Sequence, residues 1–172
     1  MNLYLRLIFF RFLSRRRSRL EMWGTAITPF RVTPSDLDLL GHVNNSKYLA
    51  IMDLARIDLM MRAGWWDKFN RKGWFPVVAG QTITYRKSLT LGQRFQVESR
   101  VLGMDDRWFY VQQVFRAEGA VCAHALVRAR FLKKSGGSVE HDEMGEFLGG
   151  FPDWLDVPEW IGPWTAATKD AV

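Results

Sequence analysis

One cysteine, Cys122, stands among 172 residues, so no internal disulfide framework holds this chain together, and a reducing compartment suits it. Histidine is nearly as scarce. His42, His124 and His141 form no recognisable zinc spacing with a single thiol, which removes the usual metal sites from consideration. A long apolar run is also lacking: the most apolar stretch, residues 3–13, is broken by Arg6 and Arg11 and is too short and too charged to cross a bilayer. It does not read as a secretory signal either, because Arg15-Arg16-Arg17 follow the apolar residues instead of preceding them. Internal repeats and low-complexity tracts are absent. What is present is one domain's worth of chain, 48% hydrophobic, enough to bury a sizeable core.

The net charge of +6 first suggests a phosphate backbone as partner. Its distribution excludes nucleic acid. Residues 1–20 contain six arginines and no acid, which leaves 18 basic against 18 acidic residues in the rest of the chain. The body is formally neutral, and the basic, apolar segment 1–24 stands apart from it. Two roles suit that segment: a helix docked on its own domain or a partner chain, or an interfacial helix on anionic lipid through residues 1–20. The expected location is cytoplasmic, with peripheral membrane contact under the second role.

Beyond the leader, Thr25 to Val32 reads as a strand closed by the turn residues Thr33-Pro34-Ser35-Asp36. Asn44, Asn45 and Ser46 are good helix caps, and Lys47 to Ala63 runs without Gly or Pro until Gly64. This predicted helix has two apolar stripes, Tyr48-Met52-Ala55-Leu59-Ala63 and Ala50-Leu54-Ile57-Met61. Two stripes require two covering surfaces, as in the embrace of a curved sheet. The polar seams between them pair Asp58 with Arg62 and Asp53 with Arg56 at helical spacing.

A Trp-rich connection (Trp65, Trp66, Trp74) then leads to strands over Phe75 to Lys87, around Phe95 to Val101, over Trp108 to Glu118 and over Ala120 to Lys133, with a hairpin turn at Gly103-Met104-Asp105-Asp106. In the last strand, Val121, Ala123, Ala125, Val127, Ala129 and Phe131 make a small-residue face suited to close approach of the helix. The expected organisation is a basic leader (1–24), an α+β domain (25–134) and an irregular Trp/Pro tail (135–172) pinned by Trp154, Trp160 and Trp164.

Chemistry concentrates in Ser35-Asp36-Leu37-Asp38-Leu39-Leu40-Gly41-His42-Val43-Asn44-Asn45-Ser46-Lys47-Tyr48. Two acids lie in a strand-to-helix loop, followed by a glycine that lets backbone approach a ligand and a helix start whose open N–H groups favour negative charge. That layout suits acyl transfer, which needs donors for an oxyanion and a carboxylate to attack the carbonyl or to activate water.

The stretch resembles the D-x-D-x-x-G-H-V-N-N-x-x-Y signature of the 4-hydroxybenzoyl-CoA thioesterase-like branch of the hot-dog superfamily. The runs Ile83 to Leu89 and Val101 to Tyr110 are similar to the subgroup around thioesterase superfamily member 6. This resemblance spans about Phe30 to Leu132. It implies a hot-dog fold, one long central helix wrapped by a curved antiparallel sheet, and hydrolysis of an acyl-CoA or acyl-carrier thioester without metal or organic cofactor.

By the same resemblance Asp38 is the catalytic nucleophile or general base. Gly41 lies beside the thioester, and the backbone N–H near Asn45 polarises its carbonyl. His42, Asn44 and Tyr48 join the candidate substrate-binding set. A structural hydrogen bond is the competing role for His42, helix capping for Asn44 and core packing for Tyr48. Coenzyme A phosphates would call on Arg86, Lys87, Arg128 or Arg130. Related domains pair into continuous sheets with active sites between subunits, so a homodimer or tetramer is expected. Two rivals remain: a hot-dog dehydratase, against which His42 stands inside the thioesterase signature, and a non-catalytic acyl-binding or scaffold protein.

Overall fold

A computed structural model describes residues 17–155 and 157–169; the expectations for residues 1–16 lie outside them. Five strands form one antiparallel sheet in the order β1-β3-β4-β5-β2. They are β1 (Ala26–Arg31), β2 (Trp74–Tyr85), β3 (Arg94–Met104), β4 (Phe109–Ala117) and β5 (Ala120–Lys133). Helix α1 (Asn45–Arg62) lies on one face, chiefly over β1 and β3. Period-two alternation in β3 and β4 sends Val97, Val101, Val111 and Phe115 into the core beneath α1. Leu102 and Tyr110 point to the opposite face and meet Ile161.

Helix α1 begins as its caps predict. The Asn44 side chain accepts from the Ser46 N–H at 2.9 Å, and Gly64 follows in the left-handed region at φ 74°. Its first stripe is buried throughout; of the second, Leu54 is buried while Ala50, Ile57 and Met61 are half-buried. Gln113 of β4 ties the helix to the sheet, donating to the Met52 carbonyl at 3.0 Å and to Ser99 Oγ at 2.9 Å. The expected pairs form, Asp53 with Arg56 and Asp58 with Arg62. Asp58 goes further: at 0% exposure it also accepts from Thr28 Oγ1 at 2.8 Å and Arg17 at 3.1 Å, joining helix, first strand and leader.

Several expectations need correction. The Trp-rich connection contains a helix, α2 (Trp65–Lys72), because Trp65 and Phe69 at i, i+4 both turn inward between two glycines in the left-handed region, Gly64 and Gly73. The tail is partly helical. In α3 (His141–Leu148), Met144 and Leu148 are buried at the same spacing, and α4 (Ile161–Lys169) covers the outer sheet face through Ile161. Trp154 and Trp160 are exposed, so of the three expected anchors only Trp164 packs, against Leu102, Tyr110 and Leu126. The turn after β3 closes two residues later than expected, where the Asp105 N–H donates to the Trp108 carbonyl at 3.1 Å. The small face of β5 shares the core with α1, where Ala123, Ala125, Val127 and Phe131 are buried in one cluster with the first stripe of the helix, and Ala129 borders an apolar cavity beside the second stripe.

Candidate active site

Asp38 sits in the loop between β1 and α1, fixed from both sides. Upstream, Thr33 and Asp36 form a capping box: the Asp36 carboxylate accepts from the Thr33 N–H at 2.9 Å and from its hydroxyl at 2.7 Å. Downstream, the Asn44 N–H donates to the Asp36 carbonyl at 2.9 Å, which pins the helix start to the same turn. Asp36 is buried and serves the loop.

Between these anchors Asp38 closes a small ring of its own. Its N–H donates to the His42 carbonyl at 2.8 Å, and its carbonyl accepts from the Gly41 N–H at 3.1 Å. One carboxylate oxygen, Oδ1, accepts from the Leu40 N–H at 2.9 Å and the His42 N–H at 3.3 Å. The turn requires Gly41 at φ 76°, where a side chain would be strained. Oδ2 has no partner among the described residues, and the half-buried side chain faces an open hollow lined by Leu37, Asp38, Leu39, Leu40 and Asn44. The carboxylate is thereby oriented by one oxygen and available through the other.

The remaining candidates divide. Asn44 is the helix cap, accepting from the Ser46 N–H and hydroxyl through Oδ1. Asn45 is the first helical residue, and its N–H has no acceptor among the described residues, so it is open to a ligand oxygen. His42 is held by backbone bonds to Asp38 and a bridge to Thr90, while its half-exposed ring has no polar partner among the described residues. Tyr48 lies away from the hollow. It is buried, its ring centroid 5.0 Å from both Tyr85 and Phe115, and burial pushes its hydroxyl from the ordinary 10.0 up to about 12. Among the basic candidates for coenzyme A phosphates, Arg128 is excluded. Its guanidinium is buried under α4, between Trp108 and Trp164, and donates to the Thr165 carbonyl and Thr168 Oγ1, both at 3.0 Å.

Sequence reasoning missed a second feature, an apolar cavity of about 480 Å³ between the second stripe of α1 and the sheet. Leu54, Ile57 and Met60 line it from the helix, Phe109, Val111 and Phe131 from the sheet. Phe75, Pro76 and Val78 wall it at the edge strand β2, where Phe75 and Val78 are exposed. The half-buried stripe of α1 was the available signal for it. Among the described residues no cluster of three or more potential ligands could hold a metal.

A helix seated on a five-stranded antiparallel sheet in the order 1-3-4-5-2, with an oriented aspartate just before that helix, defines a hot-dog domain of thioesterase type. The sequence agrees over residues 32–165 with the model of the thioesterase-like superfamily, and the chain belongs to that family; the match takes in most of the Trp/Pro tail, which the motif resemblance had left outside. Protein THEM6 of Xenopus laevis is 45% identical over 86 residues, 50% of this chain and 42% of that protein. Its counterpart in Danio rerio is 34% identical over 107 residues, 61% of this chain and 53% of that one. The chain thus spans about half the length of these curated relatives. Among solved structures, the YbaW probable thioesterase from Escherichia coli superposes with a TM-score of 0.67 at 25% identity, covering 71% of this chain and 95% of that one. The BH1999 gentisyl-coenzyme A thioesterase shares the fold, with a TM-score of 0.61 at 18% identity, covering 67% and 94%.

Proposed function

We propose that this protein is an acyl-CoA thioesterase in which Asp38 is the nucleophile or general base, working as a homodimer. The observation that carries the reading is the state of the Asp38 carboxylate: one oxygen locked by two backbone N–H groups, the other open to a hollow at the start of a helix whose first N–H is also open. A thioester carbonyl placed there has a donor for its developing oxyanion at the Asn45 N–H. As general base, Asp38 takes a proton from water, the hydroxide adds to the carbonyl, the C–S bond breaks and the proton leaves with the thiolate. As nucleophile, it forms a mixed anhydride as the thiolate departs, and water then cleaves the anhydride to the free acid. The solved gentisyl-coenzyme A and DHNA-CoA thioesterases of this fold act on CoA thioesters of the kind proposed.

The acyl group needs apolar room that the Asp38 hollow lacks. The cavity lies 8 to 15 residues along α1 from its first residue, about 12–22 Å at helical rise. A partner bridges that gap. Strand β2 is a 12-residue edge strand with Phe75, Val78 and Tyr85 exposed, a surface that calls for cover. Two-fold pairing along β2 turns the partner's helix antiparallel to this one, so the start of that helix, with its aspartate, arrives beside the cavity. Exposed Leu39 and Leu40 on the Asp38 loop then face the partner.

The test is thiol release from a panel of acyl-CoAs by wild type, Asp38→Asn and Asp38→Ala. Wild type turns over at least one substrate, and both substitutions reduce the rate by about 10²–10⁴-fold. Unchanged turnover in the variants removes Asp38 from the mechanism, and a wild type inert on every acyl-CoA removes the activity itself.

A further inference from the structure

The apolar cavity has a direction. Its sheet wall crosses four neighbouring strands: Val78 of β2, Ala129 of β5 and Phe109 of β4 are paired side by side, and Val111 of β4 pairs with Val101 of β3. Val78 at the sheet edge is 46% exposed and Val101 at the other end 5%, so the cavity opens at β2 and closes at β3.

Depth follows from the strand count. Strands lie about 4.8 Å apart, so the three spacings from β2 to β3 give about 14 Å. An extended chain advances about 1.2 Å per bond, and about 12 carbons reach the end. The volume agrees, because one benzene ring occupies an apolar cavity of about 150 Å³ and would leave most of the 480 Å³ here empty. The charged residues of the lining, Asp53 and Arg56, bond to each other, which leaves apolar contact as what the wall offers a ligand.

Val101 also lines a second hollow, of about 540 Å³, together with Met22, Trp23 and Leu102. Among the described residues it is the only one that lines both, and Trp23 of one wall packs edge-on against Trp65 of the other at 5.1 Å. Val101 stands between the two spaces. Resting on the reading of this cavity as the acyl pocket, we propose that the substrate's acyl group is a straight hydrocarbon chain of about 12 carbons, and that Val101 sets this length by closing the end of the cavity.

Calorimetric titration of the full chain with straight-chain fatty acids, from hexanoic to hexadecanoic, tests this. The expected result is an affinity that rises about threefold to fourfold with each added carbon up to about 12 and then rises no further. Val101→Ala opens the cavity toward the second hollow and carries the rise on by about two carbons or more, whereas Val101→Leu ends it about one or two carbons earlier. Shifts in opposite directions mark a steric stop, because lost stability would weaken every acid alike. If the added bulk of leucine prevents folding, Val101→Ala decides the matter by itself. A limit that stays in place, or an affinity that ignores chain length, overturns the proposal whatever the turnover. Thiol release from the corresponding acyl-CoAs is read separately: if none turns over while the limit still moves with Val101, the catalytic reading fails and the chain-length pocket stands.

Discussion

Two variants, each inactive alone, report whether the working site is shared between subunits. Asp38→Asn keeps a side-chain oxygen for the Leu40 and His42 N–H groups, so the loop holds while the base is lost. The rate falls by about 10²–10⁴-fold, about 2.7–5.4 kcal/mol of barrier. Ala129→Phe leaves that loop untouched and places a ring in the cavity of about 480 Å³, where added bulk costs at most about 1–3 kcal/mol of stability and acyl binding is lost. Equal amounts of the two, allowed to exchange subunits, give about half heterodimers. If each site takes Asp38 from one chain and the cavity from the other, every heterodimer has one site with both lesions and one with neither. Thiol release then recovers to about a quarter of the wild-type rate. If acid and cavity serve each other within one chain, both heterodimer sites are damaged and nothing recovers. Native mass spectrometry establishes that heterodimers have formed. Their presence without recovered activity refutes the shared site.

Three further outcomes follow from buried groups. Asp58→Ala removes the buried carboxylate to which Thr28, Arg62 and Arg17 all donate and lowers unfolding stability by about 3–5 kcal/mol in urea titration, with Asp58→Asn milder; an unmoved midpoint refutes the role given to this carboxylate. The Tyr48 and Tyr110 hydroxyls are both pushed up to about 12 by burial, so the folded state holds their protons more tightly than the unfolded chain at 10.0. Their contribution is fully present below pH 10 and is lost as pH rises from 10 to about 12, an alkaline decline that the Tyr48→Phe, Tyr110→Phe double variant flattens in chemical denaturation across that range. Arg128→Ala removes two hydrogen bonds to α4 and the contacts with Trp108 and Trp164, weakening the docking of α4 by about 2–4 kcal/mol. Amide exchange accelerates in residues 161–169 and not in β1; uniform exchange throughout counts against a local latch.

The long helix was legible because its signals are local. Asn44 caps it, Gly64 ends it, and the stripes between them have a helical period. The alternation in β3 is local in the same way, and so is the break between β4 and β5, where Gly119 takes φ 77° between Ala117 and Ala120. Helix α2 carried a local signal too, Trp65 and Phe69 between two glycines, but the three tryptophans drew attention to aromatic content over spacing. Tail helices α3 and α4 are short, with Gly149 just after the first and Gly162 and Pro163 inside the first turn of the second, and they become helices because Met144 and Ile161 have a core to bury in. Arg128 shows the limit from the other side: along the strand it is one more alternating arginine, and only the docking of α4, some 37 residues later, removes it from solvent.

The sequence alone determined the family, the strand-loop-helix order and the position of Asp38, because each is written in neighbouring residues: turn formers, caps and a run of motif residues at set spacing. Only the tertiary structure decided that Tyr48 belongs to the core, that Arg128 is sealed, and that an apolar cavity opens between the second stripe of α1 and the sheet. The physical reason is that burial, cavities and unpaired donors are properties of surfaces brought together from distant parts of the chain, and no local pattern encodes what a side chain fails to touch.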